Sequence, residues 1–327
     1  MRSGCSGKLR PPHPPSKGSD PITRRTRLAL ALIVTQLISS GTHLVAKGAL
    51  LLSNPITIAL LRFILASAAL LLFQRLRGGG QAVARRDWPK FLLLGLLVVP
   101  LNQGCFLWGI SSSTASHASL LYALTPLVVL LFAGRLLRES GLVAKTIGIL
   151  VAFLGVGVIL FERGLRHELT VLGGDLVILV AVFAWSPYTV LSKRLLVRYD
   201  PMTVTTWSIV AGTVISLPAL AIPGTIPPLD TIPPGVWGAL IYLAIGTNMI
   251  AYPLWSYALK NMDASKVAIT ANTQPILTGA LSWVLFQERF TAGFLVGAVL
   301  ILAALTWVET RQDTVAPDAA RAAEGTA

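Results

Sequence analysis

The chain has 327 residues, of which 54% are hydrophobic and only 13% charged, about half the charge density of an ordinary soluble domain. Its formal net charge of +13 accompanies apolar runs long enough to cross hydrocarbon as helix, so it reads as basic loops beside a membrane and not as a nucleic-acid surface. Two cysteines and four scattered histidines exclude a disulfide framework, a zinc site and a hydrolase constellation.

Residues 1–27, rich in Pro, Gly and basic side chains, read as a disordered cytoplasmic tail. The apolar run that follows is too long for a signal-peptide core and has no clear cleavage site, so it is expected to remain as the first span. Ten spans can be drawn, at about 28–47, 55–74, 90–110, 115–135, 142–161, 172–192, 202–222, 236–258, 266–286 and 290–308. Residues 309–327 form a second polar tail.

The first span places Gln36, Ser40 and His43 at i, i+4 and i+7, on one helix face. Such a face in lipid needs either partner helices or a water-filled cavity. On the cavity reading the three line a substrate path, and His43 is a candidate proton carrier. Arg62 lies inside the second span, where a cation is costly unless paired. It reads first as a structural group bonding carbonyls of neighbouring helices, and second as an attractor for an anionic substrate group. The third span adds Asn102 and Gln103, and ends near Trp108.

The fourth span opens with ASHASLLYALTP, Ala115 to Pro126. Pro126 deletes a donor and displaces the carbonyl four residues back, at Tyr122. Ser119, Tyr122 and Thr125 cluster there. The sixth span carries Asp175 at its start, which reads first as an exposed helix N-cap and second as an acid able to take a proton. Further along, Trp185, Ser186, Pro187, Tyr188, Thr189 and Lys193 share a region, and Pro187 either frees the carbonyl of Phe183 or merely bends the helix. The eighth span supplies Asn248, Tyr252, Trp255 and Tyr257, with aromatic rings suited either to substrate packing or to an interfacial belt. The ninth opens with ASKVAITANTQP, where Pro275 displaces the carbonyl of Ala271 beside Thr270, Asn272, Thr273 and Gln274.

The two quoted phrases lie 149 residues apart, and the same shift carries Glu139 onto Glu288, and Ala144 and Gly148 onto Gly293 and Gly297. A shift of 146 carries Ser40 onto Ser186, Lys47 onto Lys193 and Pro55 onto Pro201. The chain is therefore two copies of one unit, residues 28–161 and 172–308, joined by a periplasmic connector at 162–171. Five spans per copy is an odd number, so the second copy enters the membrane inverted. With the N-terminus inside, the inner loops hold 13 Lys and Arg and the outer loops 4, which favours both termini in the cytoplasm of a cell with a bacterial-type inner membrane. The fold class expected is all-α integral membrane, ten transmembrane helices in two inverted-topology five-helix repeats. Glu139 and Glu288 read as anchors of tight turns. The small-residue pairs of the fifth and tenth spans predict close packing of those spans within the chain.

Taken together, the doubled Trp108-Gly109 and Tyr257-Ala258, Ala115-Ser116 and Ala264-Ser265, Pro126 and Pro275, Glu139 and Glu288, Gly148 and Gly297 resemble the drug/metabolite transporter superfamily, in its EamA branch of ten-helix carriers. LLRF at 60–63 and GGD at 173–175 resemble it too. The resemblance implies movement of amino acids, other metabolites or drugs, often outward. No Walker loop or dinucleotide motif is present, so the expectation is a secondary transporter without cofactor or metal, and not an enzyme. It would work on a small-molecule substrate by alternating access, with a proton as a candidate coupled ion. The alternatives are a lipid scramblase or carrier on the same fold and a membrane-embedded enzyme. The residues expected to bind substrate are Gln36, Ser40, His43, Asn102, Gln103, Ser119, Tyr122, Trp185, Tyr188, Thr189, Asn248, Tyr252, Asn272 and Gln274. Pro126, Pro187 and Pro275 are the expected helix breaks, and Arg62, His43 and Asp175 the candidate charge or proton sites.

Overall fold

A computed structural model describes residues 21–136, 147, 150–151, 154–158, 161, 169–304 and 307. Every element among them is helical, as hydrocarbon demands of a chain that must satisfy its backbone internally. Seven helices are long and apolar enough to cross a membrane, and Ala292–Ala304 is a shorter apolar helix. Most of the expected fifth span, residues 1–20 and the second tail lie outside the described residues; residues 21–27, expected to be disordered, are instead the start of the first helix.

Helix α1 covers Pro21–Leu50 and α2 covers Pro55–Leu76. The third span is α3 (Trp88–Leu96), a π segment (Leu97–Gly104) and α4 (Cys105–Ser112). The fourth is α5 (Ala115–Tyr122) and α6 (Thr125–Leu136). Then come α7 (Leu169–Leu196), α8 (Pro201–Ser216), and an eighth span made of α9 (Pro234–Ile241), a π segment (Tyr242–Ala251) and α10 (Tyr252–Asn261). The ninth is α11 (Ala264–Ile269), a 3₁₀ turn (Thr270–Asn272) and α12 (Thr273–Phe286). Helix α13 is Ala292–Ala304.

The doubled pattern has a physical counterpart at each of these irregularities. Asn54 caps α2 by accepting from the Thr57 N–H at 2.8 Å, and Asp200 caps α8 by accepting from the Thr203 N–H at 3.0 Å. Each cap precedes a proline at the first helical position, where a missing N–H costs nothing. The third and eighth spans both loosen into π segments at mid-length. The fourth and ninth both break just before or beside the proline, as a ring pressing on the carbonyl four residues back requires. By contrast α7 runs unbroken across Pro187, so the bend reading suits that proline better than a break.

Close glycine contacts set the helix crossings. A Cβ on Gly95 would stand 2.5 Å from the backbone nitrogen of Gly212, so α3 and α8 meet backbone to backbone. A Cβ on Gly109 would stand 2.6 Å from the carbonyl oxygen of Gly174, which joins α4 to the start of α7. One on Gly155 would stand 2.8 Å from the carbonyl oxygen of Gly297. The fifth span thus packs on α13 within the chain, as expected for Gly297; Ala144 and Gly148 lie outside the described residues.

These contacts also fix direction. Lys47, near the end of α1, donates to the carbonyls of Ile110 and Ser113 at 3.0 and 2.6 Å. Ser113 donates in turn to Asp175, near the start of α7. The end of α1 therefore lies with the start of α7. Lys193 sits near the other end of this 28-residue helix, roughly 27 Å beyond Asp175 at 1.5 Å per residue. There it donates to the carbonyl of Met262, the residue 149 after Ser113. The two copies make the same lysine contact at opposite ends of the molecule, so they are inverted. Ser67 and Thr213 are 146 residues apart and share a 2.9 Å hydrogen bond. Equivalent residues that touch must lie beside the axis relating the copies.

Replacing Gly212 with Val is expected to cost at least about 1–3 kcal/mol through overpacking of this crossing. The same change at Gly173, whose Cβ would meet nothing within 4 Å, is expected to cost less. Thermal midpoints of the two purified variants in detergent check this, and equal midpoints would refute the backbone contact.

Candidate functional site

Polar side chains collect where the loosened and broken segments face each other. Gln36 of α1 donates to Thr270 at 2.7 Å and accepts from Gln274 of α12 at 2.7 Å. The Gln274 carbonyl oxygen lies 3.2 Å from Nε2 of His43. Thr270, Gln36, Gln274 and His43 thus form one chain of hydrogen bonds across the first and ninth spans. On the other side Asn102 donates to the Tyr122 hydroxyl at 2.7 Å and to the Ala181 carbonyl at 2.8 Å, and accepts from Gln103 at 2.6 Å. His43 packs edge-on against Tyr122 and Phe106, with ring centroids 5.6 and 5.2 Å away.

Between these groups lies a cavity of about 60 Å³, lined by His43, Gln103, Tyr122, Trp185, Tyr252 and Gln274 among others. Six of the fourteen residues expected to bind substrate therefore meet around one cavity. Gln36 stands directly behind them through Gln274, and Asn102 through Tyr122. Trp185 brings an aromatic cluster, with Tyr188, Tyr252 and Trp255 centroids at 5.1, 5.2 and 5.8 Å. Tyr252 and Trp255 are buried, so they form no interfacial belt. Trp108 is 56% exposed and sits where a belt residue would.

Other expected residues are placed differently. Ser40 and Ser119 turn their hydroxyls back onto their own helices, to Gln36 and Ser116 carbonyls. Thr189 is fully buried in α7, and its carbonyl accepts from Ser192. Asn248 donates at 3.0 Å to the carbonyl of Leu243, five residues back, which is the spacing a π segment leaves. Asn272 lies in the 3₁₀ turn next to the lining residue Ala271. Pro126 and Pro275 follow the two breaks that bend these walls.

Two expectations need correction. Asp175 is no exposed N-cap: α7 begins six residues earlier, and Asp175 is fully buried. It accepts from Ser113 and lies 3.2 Å from Nδ1 of His117. Arg62 bonds no carbonyl: it is fully buried, and none of its guanidinium nitrogens has a hydrogen-bond partner. Glu288 anchors a turn in an unforeseen way, by accepting from the Ala115 and Ser116 N–H groups at the start of α5, at 3.1 and 3.4 Å. Its counterpart Glu139 lies outside the described residues.

Several lining residues escaped the sequence reading. Thr35, Ser39 and Thr42 also line the cavity, and Thr42 shares a 2.7 Å hydrogen bond with Thr247. They repeat the i, i+4, i+7 spacing one step from Gln36, Ser40 and His43, so the polar stripe of α1 was legible as two rows. The pairing of His117 with Asp175 had no such signal. A second hollow of about 560 Å³ opens between α2, the third span and α8, but its wall is almost wholly apolar, with Leu60, Phe63, Val99 and Trp108. It offers little to orient a polar ligand.

A double-mutant cycle of Gln36→Leu and Gln274→Leu is expected to give a coupling of about 0.5–2 kcal/mol. Equilibrium unfolding in mixed detergent measures it, and additive losses would mean that the two amides do not meet.

Comparison with known proteins agrees with this architecture. The EamA-like transporter family matches over residues 26–161 and again over 172–310. An uncharacterized transporter of Archaeoglobus fulgidus is 29% identical over 292 residues, covering 88% of this chain and 98% of its own. A probable terminal-alkyne amino-acid exporter of Streptantibioticus cattleyicolor is 28% identical over 226 residues, or 69% and 74% of the two chains. One solved crystal structure superposes with a TM-score of 0.60 at 20% identity, over 86% of this chain and 96% of its own, and so shares the fold. With two matches that together span most of its length, the chain belongs to the EamA-like transporter family.

Proposed function

We propose that the protein is a secondary transporter that moves small polar or amphipathic metabolites, amino acids among them, outward across the inner membrane. The observation that carries this is the cavity, lined by polar side chains, where the π segments and proline breaks of the two inverted repeats meet. Irregular backbone at membrane depth is tolerated only where it is buried or lines such a space. Family membership supports transport, and the amino-acid exporter among the relatives supports both substrate class and direction.

At about 60 Å³ the cavity is far smaller than a drug-sized site of about 300–1,000 Å³. A metabolite enters only if the walls part, and alternating access would part them on one side and then on the other. The two ends have separate closures. At one, Lys47, Ser113, Asp175 and Glu288 tie the ends of the first, third, fourth, sixth and ninth spans together. At the other, Asp87 accepts from Lys90 and Tyr199 at 2.6 and 2.9 Å and lies 3.5 Å from Arg198. The basic loops favour a cytoplasmic location for the second end and for both termini. His43 is the candidate carrier for a coupled proton, since the hydrogen-bond chain through Gln274 reaches it inside the cavity.

A lipid scramblase would need a polar groove open sideways, and the sideways hollow here is apolar. The test is metabolite profiling of a bacterial host expressing the chain, against a Tyr122→Ala, Gln274→Ala control at matched membrane levels. At least one compound is expected to be enriched in the medium by about tenfold over the control, the equivalent of 1.4 kcal/mol of lost binding. Accumulation inside the cells would reverse the direction, and identical profiles would sink the proposal.

A further inference from the structure

The hydrogen bonds around the cavity have a direction, and two backbone carbonyls set it. Thr270 donates its hydroxyl proton to the carbonyl of Val267 at 2.7 Å. It can therefore only accept from Gln36, whose amide nitrogen must face it. The Gln36 oxygen is left to accept from the Gln274 amide nitrogen, and the Gln274 oxygen is left for His43. An amide oxygen donates nothing, so Nε2 of His43 carries the ring proton. In the neutral ring Nδ1 is then a bare acceptor.

The second network runs the same way. Asn102 gives its amide protons to the Ala181 carbonyl and the Tyr122 hydroxyl, at 2.8 and 2.7 Å. Its oxygen accepts from the Gln103 amide nitrogen at 2.6 Å, so the Gln103 oxygen is the end left over. Turning any of these amides round would set oxygen against oxygen along its chain. His43 and Gln103 are both buried and both line the cavity. Neither Nδ1 of the one nor Oε1 of the other has a hydrogen-bond partner among the described residues. Tyr122 touches both networks, with its ring against His43 and its hydroxyl on Asn102. Buried acceptors left bare are costly, and two of them fixed at one cavity call for a ligand that brings protons.

We propose that His43 Nδ1 and Gln103 Oε1 receive the N–H bonds of a primary amino group on the transported molecule. This rests on the transporter reading and adds to it the group that the cavity recognises. A hydroxyl brings one proton to two acceptors, whereas a protonated primary amine brings three. Its charge suits the wall as well. The rings of Phe106, Tyr122, Trp185, Tyr252 and Trp255 line the cavity, and no carboxylate, lysine or arginine does. The ammonium is thus met by aromatic rings and neutral acceptors, as in the cages that bind ammonium ligands. The other unpartnered groups there, the Thr125 and Tyr252 hydroxyls and the Trp255 N–H, can donate, and suit acceptor atoms elsewhere on the same molecule.

The test begins with the tautomer. Nitrogen NMR of the full chain, isotope-labelled at histidine and held in lipid bilayers at neutral pH, separates protonated from bare ring nitrogens, and a His43→Phe sample assigns the signals. The expected result is a proton on Nε2 of His43 and none on Nδ1. The reverse tautomer, or a proton on both nitrogens, would overturn the assignment. Transport in vesicles then tests the ligand. At least one exported compound is expected to carry a primary amine. Full methylation of that nitrogen keeps the charge and removes every N–H, and is expected to raise the KM about tenfold or more. In Gln103→Leu one acceptor is no longer there to be left bare, so the methylation penalty is expected to shrink about threefold or more. An unchanged KM on methylation overturns the proposal, and so does a penalty that is the same in Gln103→Leu, which would be bulk alone. Export confined to compounds without an amino group would leave the transporter reading standing and remove this one.

Discussion

Hydrocarbon offers no hydrogen bonds, so every polar group inside this chain has to find its partner within the chain or face a space that holds one. That requirement turns each irregularity into a placed feature. A proline in the fourth span displaces a carbonyl, and the region it opens is where Tyr122 meets Asn102. In the π segment of the eighth, the Asn248 side chain donates to the carbonyl of Leu243. The amide of Gln274 donates to that of Gln36 across two helices that would otherwise be driven together by little more than dispersion. Against this background the guanidinium of Arg62 stands out as a fully buried charge whose nitrogens have no hydrogen-bond partner.

The glycine crossings supply the second half of the architecture. Where Gly95 meets Gly212 and Gly109 meets Gly174, backbones approach closely enough that the helices act as one body. Both contacts join the third span to the second copy. The core is therefore an interlocked assembly, with Ser67 and Thr213 at its axis. Lipid-facing positions carry the exposed leucines, among them Leu72 at 58% and Leu154 at 65%, as a surface solvated by acyl chains allows.

Much of this was legible in the sequence because the inverted repeat samples each feature twice. The prolines, the lysines and the polar stripe of α1 sit at periods that a helix translates directly into faces. What escaped depended on which helices become neighbours. Nothing in the local pattern of Asp175 distinguishes an exposed cap from an acid buried against Ser113 and His117, because the partners come from a span 58 to 62 residues away. Arg62 was misread for the same reason: a cation in a span usually finds carbonyls, and only the packing reveals that this one does not. Ser40 and Ser119 share faces with cavity residues, yet a hydroxyl can always reach the carbonyl three or four residues back and leave the cavity to its longer neighbours.

The contact of Ser67 with its own counterpart has a thermodynamic consequence. A rotation that exchanges the two copies returns that pair to itself, so its energy is the same whichever side of the membrane the cavity faces. Were the copies identical, both orientations would be equally populated. The imbalance must come from positions where the copies differ, and the ends of the molecule differ in their partners: a buried acid beside a buried histidine at one, a buried acid beside the half-exposed Lys90 and Arg198 at the other. On the alternating-access mechanism we propose, the resting orientation is thus written in the divergence of the two halves rather than in what they share.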